Sequence, residues 1–265
     1  MTEQSLTRAL PSRFVLAVTV GGVIGLGILR GPGEIAEVIP QPLPYLALWL
    51  LGGLFVLLST AVVTELIGLT PRSGGTYSLI RHAYGPDPGF VIGWVDWLSF
   101  AADLALKAVV ITEFAAILFP ESTAWSRPLA ITVTTVFAAI QLRGIGLGAL
   151  IQELATSLIG LIIFALALVL FLVEAPVTPA ADTLPVKNGL GDWSLVIATI
   201  IFTYDGWLYA SYFSGETKGG AGTAASSCIK GMVLVIALYM LLNFALVKST
   251  GLAALAGNEL ALAHA

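Results

Sequence analysis

Between Tyr45 and Leu69 the sequence carries one charged side chain, Glu65, in an otherwise apolar run. A helix crossing a bilayer needs about 20 apolar residues at roughly 1.5 Å each. Further runs at Phe14–Val38, Pro88–Phe119, Pro128–Leu142, Leu150–Val173, Leu195–Phe213 and Gly231–Val247 make seven predicted spans. Composition agrees: 57% of residues are hydrophobic and 11% charged, against roughly 25% charged in soluble domains. The mean hydropathy is +0.94. Membrane barrels show alternating segments of about 10 residues instead. The expected fold class is therefore an all-α membrane protein, a helical bundle forming a single transmembrane domain over residues 1–265.

Charge sets the expected orientation. If the spans alternate, Arg8, Arg13, Arg72, Arg81, Arg143, Lys218 and Lys230 fall on the side of the N-terminus, with Arg127 and Lys187 opposite. Glu121, Glu174, Asp182 and Asp192 gather with that second group. The positive-inside rule then makes the N-terminus cytoplasmic and the C-terminal tail external, in a multi-pass protein of the cell membrane. The polar opening MTEQSLTRAL lacks the pattern of a cleaved signal peptide, so the first span is expected to direct insertion. With Cys228 the sole cysteine, no intrachain disulfide or cysteine-based metal cluster can form.

The first span contains VGGVIGLGILRGPGE, Val20 to Glu34, with six glycines and a proline in fifteen residues. Backbone polar groups in a water-free bilayer must be paired, so an unwound turn survives only inside protein or beside a polar cavity. Gly21 with Gly25 and Gly27 with Gly31 also fit the small-xxx-small spacing of a helix packing seam. A second interruption shifts the balance: in IIFTYDGWLYASYFSGE, Thr203, Asp205 and Gly206 break the sixth span. Gly-interrupted spans at corresponding positions of two halves point to a transporter built from inverted repeats. Half-helix N-termini there attract an anion, while freed carbonyls hold a cation. An amino acid presents both groups on adjacent atoms.

Three stretches carry a family resemblance. VGGVIGLGIL resembles the first-helix signature of the amino acid-polyamine-organocation (APC) superfamily. TELIGLTPRSGGTYSLIRHAYGPDPGFVIGW resembles its second-to-third helix region, and FTYDGWLYASYFSGETK the sixth helix of its L-type amino acid transporter branch. The resemblance implies a five-plus-five inverted repeat, the first repeat over about residues 14–173 and an incomplete second one over about 190–250. The chain then reads as a fragment or truncated product ending after helix seven. Carried over by position, Val23, Ile24, Gly25, Leu26 and Gly27 would hold the substrate carboxylate and part of its amine. Phe202, Thr203, Asp205 and Gly206 would form the second break, with Phe202 as a lid. Leu26 replaces a commonly small or hydroxyl residue, and Ile159 stands where many relatives carry a helix-five lysine.

Ionisable groups at bilayer depth need a reason. Asp96, Asp103 and Lys107 share one stripe of the third span; Asp103 and Lys107 form an i,i+4 ion pair, or Lys107 supplies cation missing at Ile159. Asp205 either caps the half-helix that follows it or meets the substrate amine or a proton. Trp207 lies close enough to the break to approach substrate. Glu65 with Arg72, Glu216 with Lys218, and Glu153 with Arg143 are expected as interfacial salt bridges. His82 sits in a short amphipathic segment of the second-to-third loop, where the family has its cytoplasmic gate.

No enzyme motif, P-loop, nucleotide fingerprint or metal pattern is found, so no catalytic residue, cofactor or metal is expected. The leading expectation is secondary active transport of amino acids by exchange or proton symport, helices one, two, six and seven rocking against a scaffold with three and four. The alternative is a non-transporting fragment, receptor or assembly protein. Expected partners are an amino acid, the lipid bilayer and, for symport, protons, with missing C-terminal helices or a partner subunit completing the fold; nucleic acid is not expected.

Overall fold

The computed structural model describes residues 9–69, 74–172 and 189–257. Arg8, Arg72, Glu174, Asp182 and Lys187, used above to argue orientation, lie outside them. The described residues are helical apart from turns, caps and one isolated parallel bridge between Leu10 and Thr217. The chain divides into two compact units, 1–73 with 152–265, and 74–151.

In the first unit, α1 (Ser12–Val23) and α2 (Leu26–Val38) are the two halves of the first span, and α3 (Pro42–Leu69) is the second. The chain returns along α7 (Ile145–Leu172), whose first turns belong to the other unit. The sixth span stops at Thr203 as α8 (Leu190–Thr203) and resumes as a 3-10 helix, Trp207–Glu216. The seventh, α9 (Gly220–Ser249), starts well before the predicted Gly231. The small and polar residues of GAGTAASSCIK do not score as apolar, yet Ala and Ser sustain a helix once Gly219, at φ 88°, has turned the chain. A short α10 (Leu252–Leu255) follows.

The second unit holds α4 (Gly75–Tyr84), α5 (Pro86–Leu118), a 3-10 turn at Pro120–Trp125 and α6 (Ser126–Leu142). His82 therefore lies on a helix. Thr76 donates a hydrogen bond to the Asp96 carboxylate, and Arg81 reaches the Tyr77 hydroxyl at 2.8 Å.

Among the described residues, four stretches are long and apolar enough to span a membrane: Ser12–Val38, Pro42–Leu69, Ile145–Leu172 and Gly220–Ser249. The other predicted spans fall short for separate reasons. Helix α6 has 17 residues, α8 is cut at 14, and α5 carries Asp96, Asp103, Lys107 and Glu113 along its length.

The core of the first unit is aromatic and polar as well as aliphatic. Tyr45 and Trp49 of α3, Tyr204 after α8 and Tyr239 of α9 are fully buried. Their ring centroids lie 5.1 to 6.3 Å apart with tilted or edge contacts, arrangements that contribute about 0.5–1.5 kcal/mol each beyond burial. The Tyr45 hydroxyl donates to Asn243 Oδ1 at 2.5 Å, and Tyr204 to the Trp49 carbonyl at 3.0 Å. Buried hydroxyls need such partners, and here they bind α3 to α9 and to the turn that follows α8.

Candidate functional site

The first break is two residues long. Helix α1 ends at Val23; Ile24 is extended at φ −71°, ψ 98°, its N–H bonded to the Val20 carbonyl at 2.9 Å. Gly25 follows at φ −144°, and α2 begins at Leu26. Thirteen residues of α-helix then aim their first unpaired N–H groups back at the break, which makes this end electropositive. Val23 and Ile24 are buried, whereas Gly25 and Leu26 are half-buried. A side chain added at Gly25 would meet nothing closer than 3.9 Å, so this glycine faces open space.

The second break is a turn. Tyr204 bonds back to the Ile200 carbonyl and Asp205 to that of Phe202, both at 3.2 Å. Gly206 then adopts φ 104°, a left-handed conformation that favours glycine. Gly206, not Asp205, holds the cap position before Trp207–Glu216, and no side-chain cap bond is present. The capping role expected of Asp205 is therefore not taken up, and its side chain is exposed. Phe202, the expected lid, is 53% exposed on the last turn of α8. Thr203 is buried and donates to the Thr199 carbonyl at 2.7 Å, while Trp207 is half-buried against the core.

The two breaks meet backbone to backbone. A Cβ on Gly206 would lie 2.2 Å from the Gly22 carbonyl oxygen, and one on Gly27 would lie 2.4 Å from the Thr203 Cα. Some glycines of the first span therefore are a packing seam, and the surface they pack against is the second break. Gly25, which faces space, is not part of that seam.

Two contacts escaped the sequence reading. The Tyr239 hydroxyl of α9 donates to the Val23 carbonyl at 3.0 Å and stands 3.4 Å from the Thr203 carbonyl, the last carbonyl of each interrupted half-helix. A tyrosine amid the apolar residues of α9 looks like packing, and nothing in its spacing gives its partners. Past the break, Thr199 of α8 donates to the Glu34 carboxylate of α2 at 2.8 Å.

Helix five meets helix one through Gln152 and Thr156, not Ile159. Thr156 donates to the Ala17 carbonyl at 3.0 Å and Gln152 reaches it at 3.4 Å, while Ile159 is 37% exposed. Glu153 pairs with Arg13 at 2.9 Å, so the carboxylate expected to serve Arg143 serves α1. In the second unit Lys107 pairs with Asp103 at 2.6 Å, the expected i,i+4 contact.

All nine predicted substrate-binding residues, Val23 to Gly27 with Phe202, Thr203, Asp205 and Gly206, lie in the first unit; the breaks touch where Gly27 packs on Thr203 and Gly206 on Gly22, while Phe202 and Asp205 are exposed. That unit offers them an open helix N-terminus and freed carbonyls. Asp103 and Lys107 belong to the other unit.

The serine/threonine exchanger SteT of Bacillus subtilis (strain 168) is 26% identical over 249 residues, covering 92% of this chain and 56% of that protein. The b(0,+)-type amino acid transporter 1 of Mus musculus is 23% identical over 241 residues, 87% of this chain and 49% of its own. The gamma-aminobutyric acid permease of Bacillus subtilis (strain 168) is 25% identical over 230 residues, 82% and 48% respectively. The chain spans about half the length of these curated relatives. The amino acid permease family matches residues 14–263; that match takes in both breaks, and on it the chain, an integral membrane protein, belongs to the amino acid permease family.

Proposed function

We propose that this chain carries the substrate site of a secondary active amino acid transporter, working by alternating access in the cell membrane with its N-terminus cytoplasmic. One observation supports most of the reading: the helix N-terminus at Gly25–Leu26 has room beside Gly25 and adjoins the carbonyls at which α1 and α8 end, Val23 and Thr203. A carboxylate fits the first, since unpaired N–H groups and the helix dipole favour negative charge. The ammonium on the adjacent carbon fits the second. Thr203, Asp205, Gly206 and Phe202 are the candidates for substrate contact from the other break. Neighbouring Trp207 is the further candidate for contact, and Asp103 with Lys107 for coupling.

Alternating access needs helices that move without losing their internal contacts. The helices bearing the breaks, with α3 and α9, share one compact unit, while the third and fourth spans lie in another, which supports their assignment to separate roles.

Reconstitution of the chain in liposomes preloaded with unlabelled amino acids, followed by counter-flow of a labelled panel, tests the proposal. Saturable uptake, trans-stimulated by the preloaded substrate, is expected. Binding without uptake would favour a non-transporting fragment, and absence of both would defeat the site. Repeating uptake across a pH gradient separates symport, which the gradient drives, from exchange, which it does not.

A further inference from the structure

We propose that Trp207–Glu216 is a contractile segment: it passes between its 3-10 form and an α-helix about 5 Å shorter, and the change slides the two breaks against each other. The conversion needs no substrate; its use in transport rests on the transporter reading above.

The first sign is in the hydroxyls. Buried serines and threonines on the α-helices return their proton to a carbonyl one turn earlier: Thr19 to Val15 at 3.0 Å, Thr60 to Val56 at 2.8 Å, Thr203 to Thr199 at 2.7 Å and Ser227 to Thr223 at 2.9 Å. Ser211 and Ser214, at 5% and 2% exposure, have no partner among the described residues. Both oxygens are closed off from solvent, an unfavourable position for a polar group. A 3-10 helix turns once every three residues, so the two serines lie one above the other on its edge. In an α-helix the carbonyl four residues back comes within reach, Trp207 for Ser211 and Ala210 for Ser214. The two side chains would still point within about 60° of one another, so both could stay inside.

The second sign is length. Runs of 3-10 helix beyond three or four residues are uncommon, and this one has ten. At roughly 2.0 Å per residue it reaches about 20 Å; as an α-helix it would reach about 15 Å. The twelve-residue α1 beside it covers about 18 Å, so the long form matches its neighbour. Contacts at both ends hold it there. Gly206 packs on the Gly22 carbonyl, and Leu10 bonds to Glu216 and Lys218 at 3.0 and 2.8 Å. Contraction gains two hydroxyl partners and better-aligned backbone bonds, against the loss of that match. Helix α1 is already α-helical and cannot shorten in step. With the Leu10 fastening kept, the displacement falls at Gly22 and Gly206, where the breaks touch.

Two measurements on the whole chain in detergent test this. The double variant Ser211→Ala, Ser214→Ala removes hydroxyls that the 3-10 form leaves unpaired, so Tm should rise by about 3 °C per serine. Ser227→Ala, which loses a bond already made, should lower Tm by about 3 °C. A fall or no change in the double variant would show that the 3-10 form carries no such burden, and overturns the proposal. The second measurement leaves both serines in place. Spin labels at Ile201→Cys and Lys218→Cys, both exposed positions, in a Cys228→Ser background, report the length of the segment by pulsed dipolar spectroscopy. Two distances about 5 Å apart are expected, with the shorter one depleted when the serine substitutions are added. A single distance, both without ligand and with the amino acid best taken up in the counter-flow panel, overturns the contraction. Failure of the transporter reading would look different: no amino acid taken up, with both distances still present.

Discussion

Helix α1 gives way to α2 through Ile24 and Gly25, both at negative φ, whereas α8 gives way through a turn that requires φ 104° at Gly206. The first break resumes as thirteen residues of α-helix, the second as a ten-residue 3-10 helix. An α-helix aligns its terminal N–H groups and its dipole on one point; 3-10 geometry is poorer and seldom runs so long. The two interruptions are therefore unequal partners. The first presents aligned N–H groups, which on the proposed reading receive the carboxylate; the second is a turn that packs against the first.

Glycine substitutions should expose that inequality most strongly. At Gly206 an alanine faces both a left-handed backbone and the Gly22 carbonyl at 2.2 Å, so Gly206→Ala should cost about 3 kcal/mol or more. Thermal unfolding in detergent would show it as a large fall in Tm or as loss of folded protein. Gly25→Ala, with open space beside it, should stay within about 0.5 kcal/mol of wild type while crowding the carboxylate, so amino acid affinity falls without Tm. Equal loss of stability from both would erase the distinction drawn here.

Next in size is the link between the half-helices α2 and α8. Removing the Thr199 hydroxyl by Thr199→Val deprives the half-buried Glu34 carboxylate of its 2.8 Å donor, which should lower stability by about 1.5 kcal/mol in denaturant unfolding. A null effect would place the grip between the breaks wholly in the glycine contacts.

Asp205→Asn should leave stability within about 0.5 kcal/mol, because no side-chain cap is made there. Its effect should appear in uptake measured across pH, as a flattened profile, if the carboxylate titrates during transport. An unchanged profile would leave Asp205 with the exposed turn rather than with the chemistry.

The smallest effect is expected in the other unit. Lys107→Ala removes a half-exposed i,i+4 ion pair with Asp103, a contribution of about 0.5 kcal/mol. Its transport phenotype decides whether Lys107 acts beyond that pair: near-normal uptake by a complete homologue carrying the same pattern would confine it to α5.

The sequence made the helices and the position of both interruptions legible, because hydropathy and glycine are local signals, although four of the seven expected spans are long and apolar enough among the described residues. Ile24–Gly25 and Tyr204–Gly206 fall where Val20–Glu34 and Ile200–Glu216 had placed the breaks. The start of α9 was misread, since Ala and Ser are neutral in hydropathy yet sustain a helix. The partners were not legible. Tyr239, Thr156 and Gln152 act on carbonyls 216, 139 and 135 residues away in sequence. A carbonyl belongs to every residue type, so no side-chain pattern marks which one is freed. Glu153 followed the same logic: its choice of Arg13 over Arg143 depends on which helices lie side by side.

The chain before α1 is fastened to the chain after the second break. Leu10 accepts from the Lys218 N–H at 2.8 Å and donates to the Glu216 carbonyl at 3.0 Å, and the Phe14 ring meets Phe213 edge-on at 5.1 Å. Two backbone hydrogen bonds and an aromatic pair thus tie the start of α1 to the Trp207–Glu216 helix. On the transport reading proposed above, the two segments would move together, a swing of α1 carrying the far half of the sixth span with it.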